Sequence, residues 1–482
     1  MSVKKNIVYS SILTISNYLF PLITFPYISR VLGVSNIGIC NYVDSIITYF
    51  CVFSAMGVAV VGVREIARVS DNVKERSNTF LSILLLNACF TVFSIITLII
   101  CIFCIPNLYQ YRTLFFIGII KLISNLFLVE WFYKGMEDFS YITKRALLIK
   151  TLYVISVFVF VKCQDDYVVY FLLTVLHLSV NAIVNIIHLR NDIDFGSIHL
   201  NVSPYIKSYL IMGIYTILTT MYTTLNVAIL GYISGPTEVG YFTTAIKILS
   251  IIQAMFTAFT GVMLPHMSTI IANNDNERFK MLINKSMSVL CIFAIPVLIF
   301  FVVFSPDVIL LIGGKGYEGA ILPFRIIMPL ILVVGYEEIL IIQALMPMKK
   351  DKAIFANSCI GALMGISMNL VLIPLYGSVG TAVAYCISEI AVLCSALFFM
   401  RKYTNHRTPV TKLFMHLGYN IPVVVVCLCV YRLDCLNSIS KLLIGSGLVG
   451  IYAFVNNYYL MKNELFVQLV DNTINKLWRI QK

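Results

Sequence analysis

Residues 25–45 read FPYISRVLGVSNIGICNYVDS. Gly33 and Gly38 link two long apolar runs, near residues 7–29 and 38–63. Each run is long enough to cross a hydrocarbon core about 30 Å thick. The same link returns 202 positions later, where Gly33-Val-Ser-Asn-Ile-Gly38 aligns with Gly235-Pro-Thr-Glu-Val-Gly240.

The flanking sequence continues in the same way. Only 12% of the 482 residues are charged, 59% are hydrophobic and the mean hydropathy is +0.90. A soluble domain carries about 25% charged residues, and a β-barrel would show alternating segments of about ten residues. The expected fold is therefore an all-α polytopic membrane protein with about fourteen transmembrane helices. The fifth, near 145–161, is the shortest. The longest connection, Arg190 to Lys207, leaves no room for a soluble domain. No small-residue cleavage site follows Lys4 and Lys5, so the first span is expected to remain uncleaved.

The 202-residue shift also sets Asn17 against Thr219, Thr24 against Asn226 and Ser45 against Lys247, and a shift of 208 sets Glu130 against Glu338. These matches divide the chain into lobes 1–202 (helices 1–6) and 203–403 (helices 7–12), with helices 13–14 and a cytoplasmic tail in 404–482. Six spans is an even number, so the lobes share one orientation, as in parallel-repeat transporters. Placing the N-terminus in the cytoplasm puts twenty-five of the 35 basic residues on that side and six on the other, with four inside spans. Both termini are then cytoplasmic. The net charge of +12 coats a face beside anionic headgroups and requires no nucleic-acid partner. The thirteen cysteines are scattered, and the Cys101/Cys104 pair lies in an apolar run. They read as packing residues, with no metal or other cofactor expected.

In hydrocarbon, a polar side chain needs a partner or water. The first span carries Ser10, Thr14, Asn17, Pro21 and Thr24 on one helical face; the second carries Asn41, Asp44, Ser45 and Thr48. The seventh carries Thr216, Thr219, Thr223 and Asn226, and the eighth Thr243, Lys247, Ser250 and Thr257. The pattern suits a wet cleft between the lobes, although small polar residues also glue helices together. The cations Arg30, Lys121, Lys247 and Arg325 outnumber the acid Asp44 in one half of the membrane. A cleft of that sign favours an anion, and phosphate or diphosphate oxygens accept charge-assisted hydrogen bonds from Arg and Lys. Asn17 and Asn41 complete the candidate substrate set. The plain alternative for Arg30 and Arg325 is snorkelling to headgroups. For Glu130, Glu337 and Glu338 it is pairing with cations such as Lys134 or Lys349.

The segments Phe25-Pro-Tyr-Ile-Ser-Arg-Val-Leu-Gly33, Gly38, Gly57, Arg64-Glu-Ile-Ala67, Glu130-Trp-Phe-Tyr-Lys-Gly135, Pro265 and Gly377-Ser-Val-Gly-Thr-Ala382 carry a family resemblance. The chain resembles polysaccharide transporters of the MOP superfamily, the Wzx-type O-antigen and lipid-linked oligosaccharide flippases, over nearly its whole length. The resemblance implies two six-helix lobes around a cavity in the bacterial inner membrane. Alternating access would carry a polyprenyl-diphosphate-linked oligosaccharide to the outer leaflet. Membrane lipids and polysaccharide polymerase machinery are implied as further partners. Arg30 and Lys247 match the basic cavity positions of related lipid flippases, and Asp44 or Glu389 would carry a coupling ion. The alternative within the fold is a cation-coupled multidrug antiporter, which needs acidic, aromatic surfaces. A membrane glycan polymerase or glycosyltransferase is disfavoured because no loop is large enough to hold its chemistry, so no enzyme is expected.

Overall fold

A helix rising 1.5 Å per residue crosses the hydrocarbon core in about twenty residues, so the 53-residue helix Val3–Ala55 must make two passes. It breaks at Gly33, whose φ of 75° and ψ of 169° suit only glycine. The repeat counterpart Gly235 breaks the chain at φ 88° and ψ 175°. Gly377, at φ 54° and ψ −127°, divides the 54-residue helix Asp351–Thr404 in the same manner.

The computed structural model describes residues 3–190, 192–194, 199–404, 410–433, 435–461 and 467, and no strand occurs among them. In chain order the helices are α1 (Val3–Ala55), α2 (Val58–Arg68), α3 (Val73–Cys104), α4 (Pro106–Tyr109), α5 (Arg112–Phe127), α6 (Glu130–Gly135), α7 (Phe139–Phe160), α8 (Tyr167–Leu189), α9 (Ser203–Ser234) and α10 (Pro236–Ala272). There follow α11 (Asn276–Val303), α12 (Ser305–Ile312), α13 (Ile321–Ile327), α14 (Leu330–Leu340), α15 (Asp351–Thr404), α16 (Val410–Tyr419), α17 (Ile421–Tyr431) and α18 (Ser438–Val455). Among the described residues, 10 helical stretches are long and apolar enough to cross a membrane. Two of them contain the breaks at Gly33 and Gly377; α7 and α9 supply further apolar helices. The side chains of Thr219 and Thr223 and nearly all of the tail beyond 461 lie outside the described residues.

The fifth span begins at Phe139 rather than at 145, because Asp138 caps the helix by accepting from the Tyr141 backbone N–H at 3.1 Å. Arg145, read from the sequence as a boundary residue, is inside the helix and 6% exposed.

The chain forms two compact units, Met1–Thr244 with Ala362–Ala384, and Ala245–Gly361 with Tyr385–Lys482. In the first, α1 packs on α3, α5, α7 and α9, and α2 packs on α6. Small residues permit the closest approaches. A Cβ on Gly38 would lie 1.8 Å from the Pro236 carbonyl oxygen, and one on Gly240 would lie 2.3 Å from the Val34 carbonyl oxygen. Since Val34 and Pro236 are themselves repeat counterparts, the two links pack reciprocally. Asn41 Nδ2 donates to Thr243 Oγ1 at 2.9 Å just beyond them. The break at Gly377 is tied to the same place, where the Ser378 backbone N–H donates to Glu238 Oε2 at 2.7 Å. Elsewhere, a Cβ on Gly62 would lie 2.4 Å from the Trp131 ring, and one on Gly135 2.8 Å from Ile66. Trp131 in turn stacks on Phe80 with centroids 5.3 Å apart. The segments 64–67 and 130–135 thus meet across α2 and α6.

In the second unit α11 packs on α14 and α17, and α17 on α18. A π-helical turn, Ile341–Leu345, continues α14. Such irregular turns occur often at functional sites.

Candidate functional site

The first pass of α1 has two open faces. At about 100° per residue, Ile12, Ile15, Leu19, Leu22 and Ile23 share one side and are exposed, which is the stripe that acyl chains cover. Thr14, Asn17 and Pro21 are exposed on the opposite side, above the buried Thr24. A polar face open inside a span takes water rather than lipid. On α7 the exposed stripe is Leu148, Leu152, Ile155 and Val159, with Lys150 on the opposite side. Lys150 Nζ reaches α1, donating to Ser16 Oγ at 2.9 Å and to Asn17 Oδ1.

Lys121 and Asp44, placed by the sequence in separate roles, form an ion pair. Lys121 Nζ lies 2.5 Å from Asp44 Oδ1 and donates to Thr48 Oγ1 at 3.2 Å. Lys121 is 21% exposed and Asp44 42%, so the carboxylate keeps an open side. A charge near the bilayer centre costs about 2.5–3.5 kcal/mol, and pairing offsets part of that cost. Asn41 spends its amide N–H on Thr243. Lys247 lies one turn beyond Thr243 on α10 and is half-buried. From there the face opens, with Ser250 half-buried and Thr257 exposed. Arg30 is exposed, and its Nη1 donates to the Pro26 carbonyl at 3.0 Å. Arg325 is exposed on α13, and its Nε donates to Ser305 Oγ at 2.5 Å.

Glu389 is 3% exposed on α15, beside Glu337 of α14 and Tyr385. Glu337 is 8% exposed, and its Oε2 is buried with no hydrogen-bond partner among the described residues. Its neighbour Glu338 accepts from Thr257 Oγ1 at 2.7 Å and Thr260 Oγ1 at 3.2 Å. These glutamates therefore sit among one another and hydroxyl groups, which suits a proton or a small cation held between carboxylates.

Sequence reasoning left out Lys150 and Glu337 as site residues. Lys150 lies inside an apolar span, and no sequence rule sets α7 against Ser16 and Asn17. For Glu337 the sequence offers pairing with a cation such as Lys349 as the plain alternative, whereas the adjoining group is Glu389, fifty-two positions away. Glu130 does meet Lys134, at 3.6 Å, but its shorter contact is with Arg145 Nη2 at 2.7 Å. Arg145 Nη1 also donates to Asn185 Oδ1, and Tyr133 Oη donates to the Asn185 carbonyl at 2.7 Å. This network joins α6, α7 and α8. Among the described residues, no group of three or more His, Cys, Asp or Glu could hold a metal ion.

"Putative O-antigen transporter" of Escherichia coli (strain K12) is 25% identical over 408 residues, covering 83% of this chain and 97% of that one. "Probable flippase AglR" of Haloferax volcanii is 25% identical over 168 residues, 35% of each chain. Among solved structures, a lipid II flippase MurJ in an inward closed conformation superposes with a TM-score of 0.74 at 15% identity, covering 94% of this chain and 100% of that one. An inward-facing MATE-family multidrug resistance transporter of the MOP superfamily gives 0.65, also at 15%, over 80% and 94%. The fold is thus MurJ- and MATE-like. The family described as "Polysaccharide biosynthesis protein" matches residues 3–271, more than half of the chain. The chain belongs to that family, as a multi-pass membrane transporter rather than an enzyme.

Proposed function

We propose that the protein flips a polyprenyl-diphosphate-linked oligosaccharide (an O-antigen, capsule or exopolysaccharide repeat unit) from the cytoplasmic to the outer leaflet by alternating access. In this reading both termini are cytoplasmic, the repeat lobes 1–202 and 203–403 rock against each other, and helices 13–14 are an appendage. The names of the relatives agree with such cargo. The observation that carries the reading is the open polar face of α1, opposite its lipid-facing stripe, in a chain whose spans hold several lysines.

Arg30, Lys247 and Arg325 are the cations this scheme assigns to the phosphates, and Asn17 and Asn41 are its uncharged substrate groups. Lys121 belongs to the same path but is held by Asp44. Its charge becomes available when Asp44 takes a proton or cation, which makes that pair one coupling element. Glu389, against Glu337, is the other. The packed links at Gly38 and Gly240 are the outer gate in its closed form.

The test is a reconstituted flipping assay with a fluorescent polyprenyl-diphosphate oligosaccharide in proteoliposomes. Lys247→Ala and Arg325→Ala should each slow translocation at least tenfold and lower surface glycan in cells, with membrane insertion intact. Wild-type rates in both variants and in the double would remove the assignment. Efflux of a cationic dye without lipid flipping would establish the antiporter instead.

A further inference from the structure

We propose that Lys150, seated by Ser16 and Asn17, is an anion-binding group that takes a phosphoryl oxygen of the translocated lipid. This rests on the lipid-diphosphate reading above and adds a residue to it that lies outside the two repeat-related pairs of helices.

The charge balance across α1, α5, α6 and α7 carries the proposal. Lys121 has Asp44 at 2.5 Å, and Arg145 has Glu130 at 2.7 Å. Among the described residues, the groups in direct contact with Lys150 are the uncharged Ser16 Oγ and Asn17 Oδ1. The acid whose charge reaches it is Glu130, which already serves Arg145 and Lys134. One carboxylate therefore faces three cations, and the surplus is positive. Lys150 stands near the middle of the 22-residue α7, where an ion without a counter-ion is expensive. An anionic ligand would supply the missing charge.

The geometry leaves room for one. An ammonium has three N–H donors, and two are engaged. Ser16 is 3% exposed and anchors the contact, whereas Asn17 is exposed on the wet face of α1 and Lys150 is half-buried. The ammonium is directed away from the lipid-facing stripes of both helices. Its direction excludes snorkelling along those stripes, and its partners fix it where α1 opens to water.

Phosphoryl oxygens occur both in the cargo and in ordinary headgroups, so binding must separate them. Purified wild type, Lys150→Gln and Lys150→Arg would be titrated with undecaprenyl diphosphate, undecaprenyl phosphate and phosphatidylglycerol, with bound lipid counted by native mass spectrometry. Lys150→Gln should lose about tenfold in affinity for the diphosphate, equivalent to about 1.4 kcal/mol. Lys150→Arg should stay within about threefold, since it keeps a charged donor. Thermal midpoints in detergent should match throughout, because Gln retains a donor for Ser16 and Asn17. Unchanged diphosphate affinity in Lys150→Gln would overturn the proposal, as would an equal loss for phosphatidylglycerol, which would make Lys150 a headgroup anchor. Either result leaves the flippase reading intact. Wild-type protein that binds no polyprenyl diphosphate would instead overturn that reading.

Discussion

Asn41 and Thr243 are 202 residues apart, and each is the other's repeat counterpart and hydrogen-bond partner at 2.9 Å. The contact between the two 202-shifted segments therefore passes between these two side chains. One turn earlier it passes between Gly38 and Gly240, where neither position has room for a side chain.

Substitution at these glycines should act as a wedge. In Gly38→Ala the new Cβ would meet the Pro236 carbonyl oxygen at 1.8 Å, a backbone atom that cannot swing aside. Overpacking of this kind costs about 1–3 kcal/mol. A lower thermal midpoint and faster maleimide labelling of a cysteine placed at position 41 are expected for Gly38→Ala and Gly240→Ala. Gly261→Ala, where a Cβ meets nothing within 4 Å, should match wild type in both measurements.

Asp44→Asn should destabilise the protein more than the double change Asp44→Asn with Lys121→Gln. The single change strands a lysine among α1 and α5, whereas the double removes both charges. The side chains are 21% and 42% exposed, so solvent softens the penalty to about 1–2 kcal/mol. Denaturation midpoints in detergent would read the order of the two variants.

Arg145 is the more demanding case. Its side chain is 4% exposed and serves Glu130 and Asn185 on two neighbouring elements. Arg145→Leu leaves the Asn185 amide oxygen without this donor and Glu130 with Lys134 at 3.6 Å, at a cost of about 3 kcal/mol. The expected result is little folded protein on size-exclusion chromatography, with partial recovery in Arg145→Lys.

Glu389→Gln should fold well, since an amide can still meet Glu337 and Tyr385. Its translocation should lose dependence on an imposed ion gradient while retaining slow downhill flipping. A gradient response equal to wild type would move coupling to Asp44. Opposing pH and sodium gradients imposed separately on the same proteoliposomes identify which ion is involved.

Hydropathy is enough to read the helical membrane fold, and the glycine repeat locates a link that the structure packs closely. These features are legible because hydrophobic length and backbone φ are local properties of a chain. Contacts across helices are not. Lys121 reads the same in sequence whether it awaits a phosphate or neutralises Asp44. Lys150 and Glu337 gain their character from Ser16, Asn17 and Glu389, which lie far away in the chain. The segment Glu130–Gly135 shows the same limit. It stood out by resemblance, but its reason is spatial: Trp131 needs the bare surface of Gly62, and Glu130 needs Arg145.

The reciprocal fit of Gly38 on Pro236 and Gly240 on Val34 carries an implication for assembly. A contact made between equivalent positions is one that a half-length chain could make with its own twin. Halves severed between positions 194 and 199 and produced together should then find one another and restore a working carrier.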